Sequence, residues 1–404
     1  MYMRCRIMKK IIVCKEGIET LSYFSEQLAS AFAEFGYPIF RYILDPPNPD
    51  LQIKHLQKFI ASGDAILITF NFNGIRGEEE LYLNGVSFWA YYKIPVINIM
   101  VDHPFYYPEL LKKVETELGF SHFVQLLVDR DHLAFVKRFY PQLQHVGFLP
   151  LAGSKAPDFS SYSHRPYDVV FVGNYTPPEQ FEPYITRIND EYTAFYRGIL
   201  DDFIAHPQQN METVFLKHLL REMPDSNDAD LCNCMGHMIF LDLYIRFYFR
   251  GKILQTLADK GIRVHVWGSG FEKIACKHPE NLILEGPTDT PGCLAALAQA
   301  KIALNIMPWF KDGAHDRAYS AMCNGALCIT DKSTYLSQQI KTEQAGILYD
   351  LESIDKLPAL IQEYLSCENK RLKIANKGYT FANQTQTWKQ RAEKLISWFD
   401  CFFV

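Results

Sequence analysis

The alternation of short apolar runs with helix-spaced segments constrains this chain more than any other feature. Apolar runs at residues 11–14, 38–44, 65–70, 95–101, 123–128 and 145–149 are each too short for an ordinary helix. Between them lie amphipathic stretches such as 21–35, 51–60, 86–92 and 131–139, which read as helices. Strands joined by helices in this rhythm make a parallel sheet covered on both faces. The rhythm resumes at 168–173, 262–267, 282–284, 302–306, 326–329 and 347–349. Helices are expected there at 294–300, 317–323, 354–367 and 385–399. Between the first two of these later strands, residues from about 179 to 260 are patterned as helices throughout.

The chain therefore reads as α/β, with two Rossmann-like domains. The first spans 1–150 and the second 167–404, with a helical insertion at about 179–260. Residues 151–166, rich in Gly, Ser and Pro, read as an exposed connector. Two such domains are expected to face each other across a cleft whose closure excludes water.

Several classes of function are excluded by composition. A formal net charge of −5, with no long basic block, argues against a nucleic-acid partner. No apolar run reaches the length of a membrane span, and the apolar run behind the basic start is only residues 11–14, short of a secretory signal. The 10 cysteines follow no framework spacing and read as reduced thiols, so a cytoplasmic location is expected. Cys232-Asn-Cys234-Met-Gly-His237 offers only three ligands at a spacing unlike a structural zinc site, and no metal is expected. There is no dinucleotide fingerprint, so no nicotinamide cofactor is expected.

Chemistry concentrates in the loop and helix after the run 302–306. There Asp312, His315, Asp316 and Arg317 stand at the carboxyl end of an expected strand, where open α/β sheets bind ligands. A helix start presents free N–H groups and a positive dipole end, and Arg317 adds a full charge, so a phosphate would be at home there. His315 could donate to a phosphate or a sugar hydroxyl, and Asp312 could accept from sugar hydroxyls or simply form a turn with Gly313. Gly173 with Asn174, Gly268 of Gly-Ser-Gly270, and Gly286 end the other strands of this half. Glycine at such points lets backbone approach a diphosphate, or only forms a tight turn. In the first half, Asp102 and His103 end a strand and are the best candidates for a general base. Asn71, Asn73 and Arg76 form a second polar loop that could meet an acceptor. The aromatic and basic segment 244–250 reads as a buried helix rather than a membrane contact.

The residues Asp312-Gly-Ala-His-Asp-Arg-Ala-Tyr-Ser-Ala-Met-Cys-Asn-Gly-Ala-Leu-Cys-Ile-Thr-Asp331 resemble the donor-binding domain of GT-B glycosyltransferases. Asp168-Val-Val-Phe-Val-Gly173 and Val266-Trp-Gly-Ser-Gly270 precede them in the matching order, and the similarity is to the CgeB-like, family 1-like group. The resemblance implies a GT-B fold and transfer of a sugar from a nucleotide-activated donor to an acceptor hydroxyl or amine. That acceptor would be a glycan, a protein or a small molecule. It implies no cofactor, the donor being a substrate, and a metal-independent reaction with Arg317 stabilising the diphosphate. Many retaining relatives carry two glutamates eight positions apart, which here become Asp312 and Ser320. Gly286 falls where relatives contact the base. The loss of the second carboxylate leaves open a non-catalytic alternative, a coat-associated or sugar-binding protein with the same fold.

Overall fold

A computed structural model describes residues 9–61, 63–157 and 165–402. It divides into two compact units, one up to Leu149 plus the C-terminal stretch from Trp388, the other Pro150–Thr387. All twelve strands expected from the sequence are present, six in each unit.

In the first unit these are β1 (Lys10–Lys15), β2 (Ile39–Ile43), β3 (Ala65–Phe70), β4 (Val96–Met100), β5 (Phe123–Leu127) and β6 (Val146–Phe148). They form one parallel sheet in the order β2-β1-β3-β4-β5-β6. The central strands β3, β4 and β5 are buried along their whole length, as expected of a sheet covered on both faces. Ile12, Leu67, Phe88, Trp89 and Phe123 anchor one side of the core. Trp89 keeps its indole N–H satisfied by donating to Gly74 O at 2.7 Å.

In the second unit the strands are β7 (Tyr167–Val172), β8 (Val264–Trp267), β9 (Leu282–Gly286), β10 (Ala300–Asn305), β11 (Leu327–Asp331) and β12 (Ile347–Tyr349). Their order is β9-β8-β7-β10-β11-β12, again all parallel. This is the doubly wound Rossmann order, and strand direction of growth reverses between β7 and β10. The insertion between β7 and β8 is helical, with Asp190–Ala205, Met211–Glu222, Asp228–Gly236 and Ile239–Asp259 as its main helices. Asn189, Asn210 and Asn227 cap the first three by accepting from a backbone N–H three residues on.

Four expectations are corrected. Residues 86–92 are not one helix: Val86–Ser87 pairs with Tyr82–Leu83 in a hairpin, and only Phe88–Tyr91 is helical. The helices Pro108–Glu117 and Glu368–Thr385 were not anticipated. The start of the expected connector is no exposed linker, since Leu151, Ala152, Gly153, Ser154 and Ala156 are buried; residues 158–164 lie outside the described part. Finally, the helix Trp388–Phe402 belongs to the first unit. Trp388 packs 5.1 Å from Phe24, and Phe399 stacks 6.0 Å from Phe32, so large rings fill that face.

Candidate functional site

The site assembles at the carboxyl ends of β7 and β10, the switch point of the second sheet. The loop after β10 runs into the helix Asp316–Cys323, whose N-cap is His315. Arg317, in the first turn of that helix, reaches back across the sheet end. Its Nη1 donates to Val172 O at 2.5 Å and its Nη2 to Ile306 O at 3.3 Å. The guanidinium thus bridges the last carbonyl of β7 and the carbonyl just after β10. Two of its five N–H groups are thereby engaged by backbone carbonyls, and Nε lies 3.3 Å from His315 Nδ1.

A second guanidinium, that of the buried Arg250, comes from the last insertion helix, Ile239–Asp259, and donates to Asn174 O. Burial, then repulsion by Arg317 and Arg246, lowers its pKa well below the ordinary arginine value. Arg246, one turn earlier, pairs with Asp242 at 2.7 Å and lies over the Trp309 ring at 4.5 Å. Arg250 and Arg317 both stand over Phe171, at 5.5 and 5.6 Å. Burial also lowers the Arg317 pKa, opposed mainly by Asp316. Asp242 pairs with Arg246, and the charges of Asp316 and Asp331 act on Arg317, whereas Arg250 donates to a backbone carbonyl and feels chiefly the repulsion of the other two guanidiniums. Such a cluster favours an incoming anion, because an added negative charge offsets repulsion already present in the fold.

His315 sits with its ring edge-on to Trp309 and Phe310. Its Nδ1 lies 2.6 Å from Asp316 Oδ1 and 3.3 Å from the backbone N of Arg317. Burial and the Arg317 charge pull its pKa down to about 4 despite Asp316, so the ring is neutral at pH 7. Burial alone would raise Asp316, but His315 and Arg317 hold it below the usual carboxylate range. On the neighbouring strand, Asp331 accepts from Met307 N at 2.8 Å and is fully buried. Burial pushes its pKa up to about 6, against the attraction of Lys311.

The other residues singled out from the sequence fall into three groups. Gly173 lies against the cluster: a Cβ there would stand 2.8 Å from Arg317 Nη1, so its missing side chain admits the guanidinium. Gly268 is required by loop packing, since a Cβ would meet Gly173 O at 1.7 Å, and Asn174 Oδ1 accepts from Ser269 N at 3.0 Å across the same contact. Gly286 has a φ of +86° and open space around it, and its carbonyl accepts from Gly268 N. Asp312 is half-buried in the loop after β10. Ser320 is buried on the far side of its helix, where its Oγ accepts from Ser154 N at 3.1 Å.

The third group lies in the first unit. Asp102 follows β4 and accepts from Asn71 Nδ2 and Tyr107 OH, both at 2.9 Å. His103 is buried, its ring 4.1 Å from Phe105 and 4.4 Å from His132, with Nδ1 accepting from Phe105 N. Asn71 and Asn73 are buried too; Asn71 Oδ1 accepts from Val101 N at 2.7 Å, and Arg76 donates to Asn71 O. This polar loop is held together by its own side chains.

Arg246 and Arg250 were not recognised as site residues from the sequence. Their signal was present: Asp242, Arg246 and Arg250 recur every four residues along the largely apolar and aromatic first part of the helix, which sets three charges on one stripe.

Residues 250–397 match the family model described as glycosyl transferase-like, a match that begins at Arg250 and includes Arg317. Comparison with curated proteins finds no match. Among solved structures, HepE from Anabaena in complex with UDP-glucose is similar at a TM-score of 0.55 and 10% identity, over 96% of this chain and 100% of that one. Sucrose-phosphate synthase from Thermosynechococcus elongatus is similar at 0.53 and 12%, over 98% and 99%. AviGT4, a glycosyltransferase involved in avilamycin A biosynthesis, is similar at 0.53 and 11%, over 96% of each chain. At these identities the likeness is one of fold. The chain thus carries the GT-B glycosyltransferase fold, and its residues 250–397 match the glycosyl transferase-like family.

Proposed function

We propose that this protein is a glycosyltransferase of the CgeB-like kind that moves a sugar from a nucleoside diphosphate to an acceptor hydroxyl or amine. The observation that carries this reading is the pair of guanidiniums, Arg250 buried and Arg317 half-buried, at the switch point of a GT-B fold. In the reaction the bond from the anomeric carbon to the diphosphate breaks, and its electron pair stays on the diphosphate. The acceptor oxygen or nitrogen bonds that carbon and gives up its proton to a base. Arg250 and the free N–H groups of Arg317 stabilise the charge growing on the leaving group, so no metal is called for. His315, being neutral, hydrogen-bonds the donor rather than adding charge. Asp102 and His103 are the candidates for the base. UDP-glucose is the first donor to try, because HepE was solved with it.

The test is a thermal-shift screen with nucleoside diphosphates and their sugars, followed by transfer assays on any donor that binds. A ligand that binds only the native state raises the melting temperature. Stabilisation by a nucleoside diphosphate sugar, lost in Arg250→Met and Arg317→Ala, is the expected result. No stabilisation by any of them overturns the reading. Binding with neither transfer nor donor hydrolysis favours a non-catalytic sugar-binding protein instead, which the burial of Ser320 against Ser154 would suit.

A further inference from the structure

The insertion contains a cavity of about 790 Å³, open to solvent along one side, between the helices Asp190–Ala205, Met211–Glu222 and Asp228–Gly236. None of the guanidiniums of the anion site lines it. It is no substitute for a core, because the insertion has one already: Ile199, Val214, Phe215 and Leu241 are fully buried. The volume is of the order that small-molecule sites have, roughly 300–1,000 Å³.

The walls are apolar, with Phe195, Tyr196, Leu219, Met223 and Met238 among them. Two methionines give such a wall the freedom to settle around a flexible chain. The apolar surface continues outward through the mouth, where Ile188 and Tyr192 are 50% and 47% exposed. Apolar side chains exposed contiguously with an apolar cavity are a feature of binding surfaces.

The charges around it decide what kind of head group it takes. Arg187 and Arg221 are balanced by Glu191 and Glu222, with Arg221 Nε donating to Glu222 Oε1 at 3.0 Å. The Arg187 guanidinium lies over the Phe240 ring at 5.6 Å. Two full charges of each sign, with His237 beside them and its Nδ1 2.8 Å from Asn233 O, give no strong preference for an anion or a cation. They do offer donors and acceptors side by side, which suits hydroxyl groups.

We propose that this cavity binds a single apolar chain bearing an uncharged, hydroxylated head, a lipid-like glycoside in chemical class. The chain lies among the aromatic and methionine walls, and the head meets the balanced charges at the rim. The site belongs to the insertion alone and stands whether or not the protein transfers sugars.

Isothermal titration of the full chain with octyl, decyl and dodecyl maltoside, each below its micellar concentration, tests this. Saturable binding is expected to tighten about fourfold per added methylene, the factor that goes with burying one CH₂. Ala194→Trp, which sets an indole on the open edge beside Phe195, should weaken dodecyl maltoside binding at least tenfold with the far-UV spectrum unchanged. Ile188→Glu, at the exposed mouth, serves should the tryptophan variant not fold, and the same loss is expected. The proposal is overturned by no saturable binding to the wild type, or by unchanged binding in the variants. Maltose binding as tightly as dodecyl maltoside would make this a glycan site instead. Dodecyl sulfate binding more than tenfold tighter would make it an anion site.

Discussion

Arg250 is buried beside Arg317 and Arg246, whose charges repel it, and under the proposed function an anionic donor would relieve that cost. The Arg250→Met variant keeps the aliphatic packing and removes one charge. Its melting temperature without ligand is expected to equal or exceed that of the wild type, since replacing a buried charge by an apolar group of similar volume is often neutral or stabilising. Its affinity for a nucleoside diphosphate should fall roughly 10- to 100-fold, as the loss of a hydrogen bond to a charged group implies; calorimetry of both properties checks this. Asp331 supplies a pH signature. Its carboxyl has a folded pKa of about 6 against 3.8 when free. The folded state therefore holds the proton more tightly, and stability is lost as pH rises from about 4 to 6, then stays level. Asp331→Asn removes this loss, so the variant should gain on the wild type across that window by roughly 3 kcal/mol and hold the gain above it. Urea unfolding of both proteins at pH 4, 5, 6 and 7 reads the gap directly.

Among the elements, the helix Asp316–Cys323 depends most on its neighbours. With only eight residues it could not persist alone, and packing supplies its stability. Residues 150–156 clamp its outer face. Asn324, fully buried, accepts from Ala156 N at 2.8 Å and donates to Ser154 O at 2.9 Å and Ser320 O at 2.8 Å. Gly153 passes so close that a Cβ would stand 2.7 Å from the Tyr319 carbonyl carbon and 2.9 Å from Cys323 Sγ. Gly153→Ala should therefore destabilise by about 1–3 kcal/mol through overpacking, because backbone cannot yield as a side-chain tip can. Denaturant unfolding measures it, and a change below 0.5 kcal/mol (about the size of a neutral surface substitution) would contradict the clamp.

Taken whole, the chain is not divided in its linear order. The last helix completes the first unit, where Trp388 and Phe399 join Phe24, Phe70, Phe32 and Tyr37. Phe399→Ala should cost about 3–5 kcal/mol, the range for emptying a buried aromatic site. Its effect is expected to be local: hydrogen exchange should quicken in β1 and in the helix Glu19–Glu34, and stay as it was in β10 and β11. Equal acceleration in both sheets would show that the two units open together. Among the described residues no helix is long and apolar enough to cross a membrane.

The amino-acid sequence by itself determined the twelve strands, because runs such as Ala-Ile-Leu-Ile-Thr-Phe70 bury both faces and admit no other partner than a covered parallel sheet. It also singled out Arg317 as a charge at a helix start after a buried strand, a local pattern that the fold reproduces. The resemblance of residues 312–331 pointed to the GT-B fold that the solved structures share. What only tertiary structure decided are matters of distance across the chain. The nearness of Arg250 to Arg317, 67 positions on, depends on a helix that the insertion delivers to the sheet end. The burial of Ser320 depends on residues 150–156, which their Gly and Ser content made read as a linker. The last helix joins the first unit through an apolar face that any sheet could have covered. Periodicity records which face of an element is buried, and the fold alone chooses what buries it.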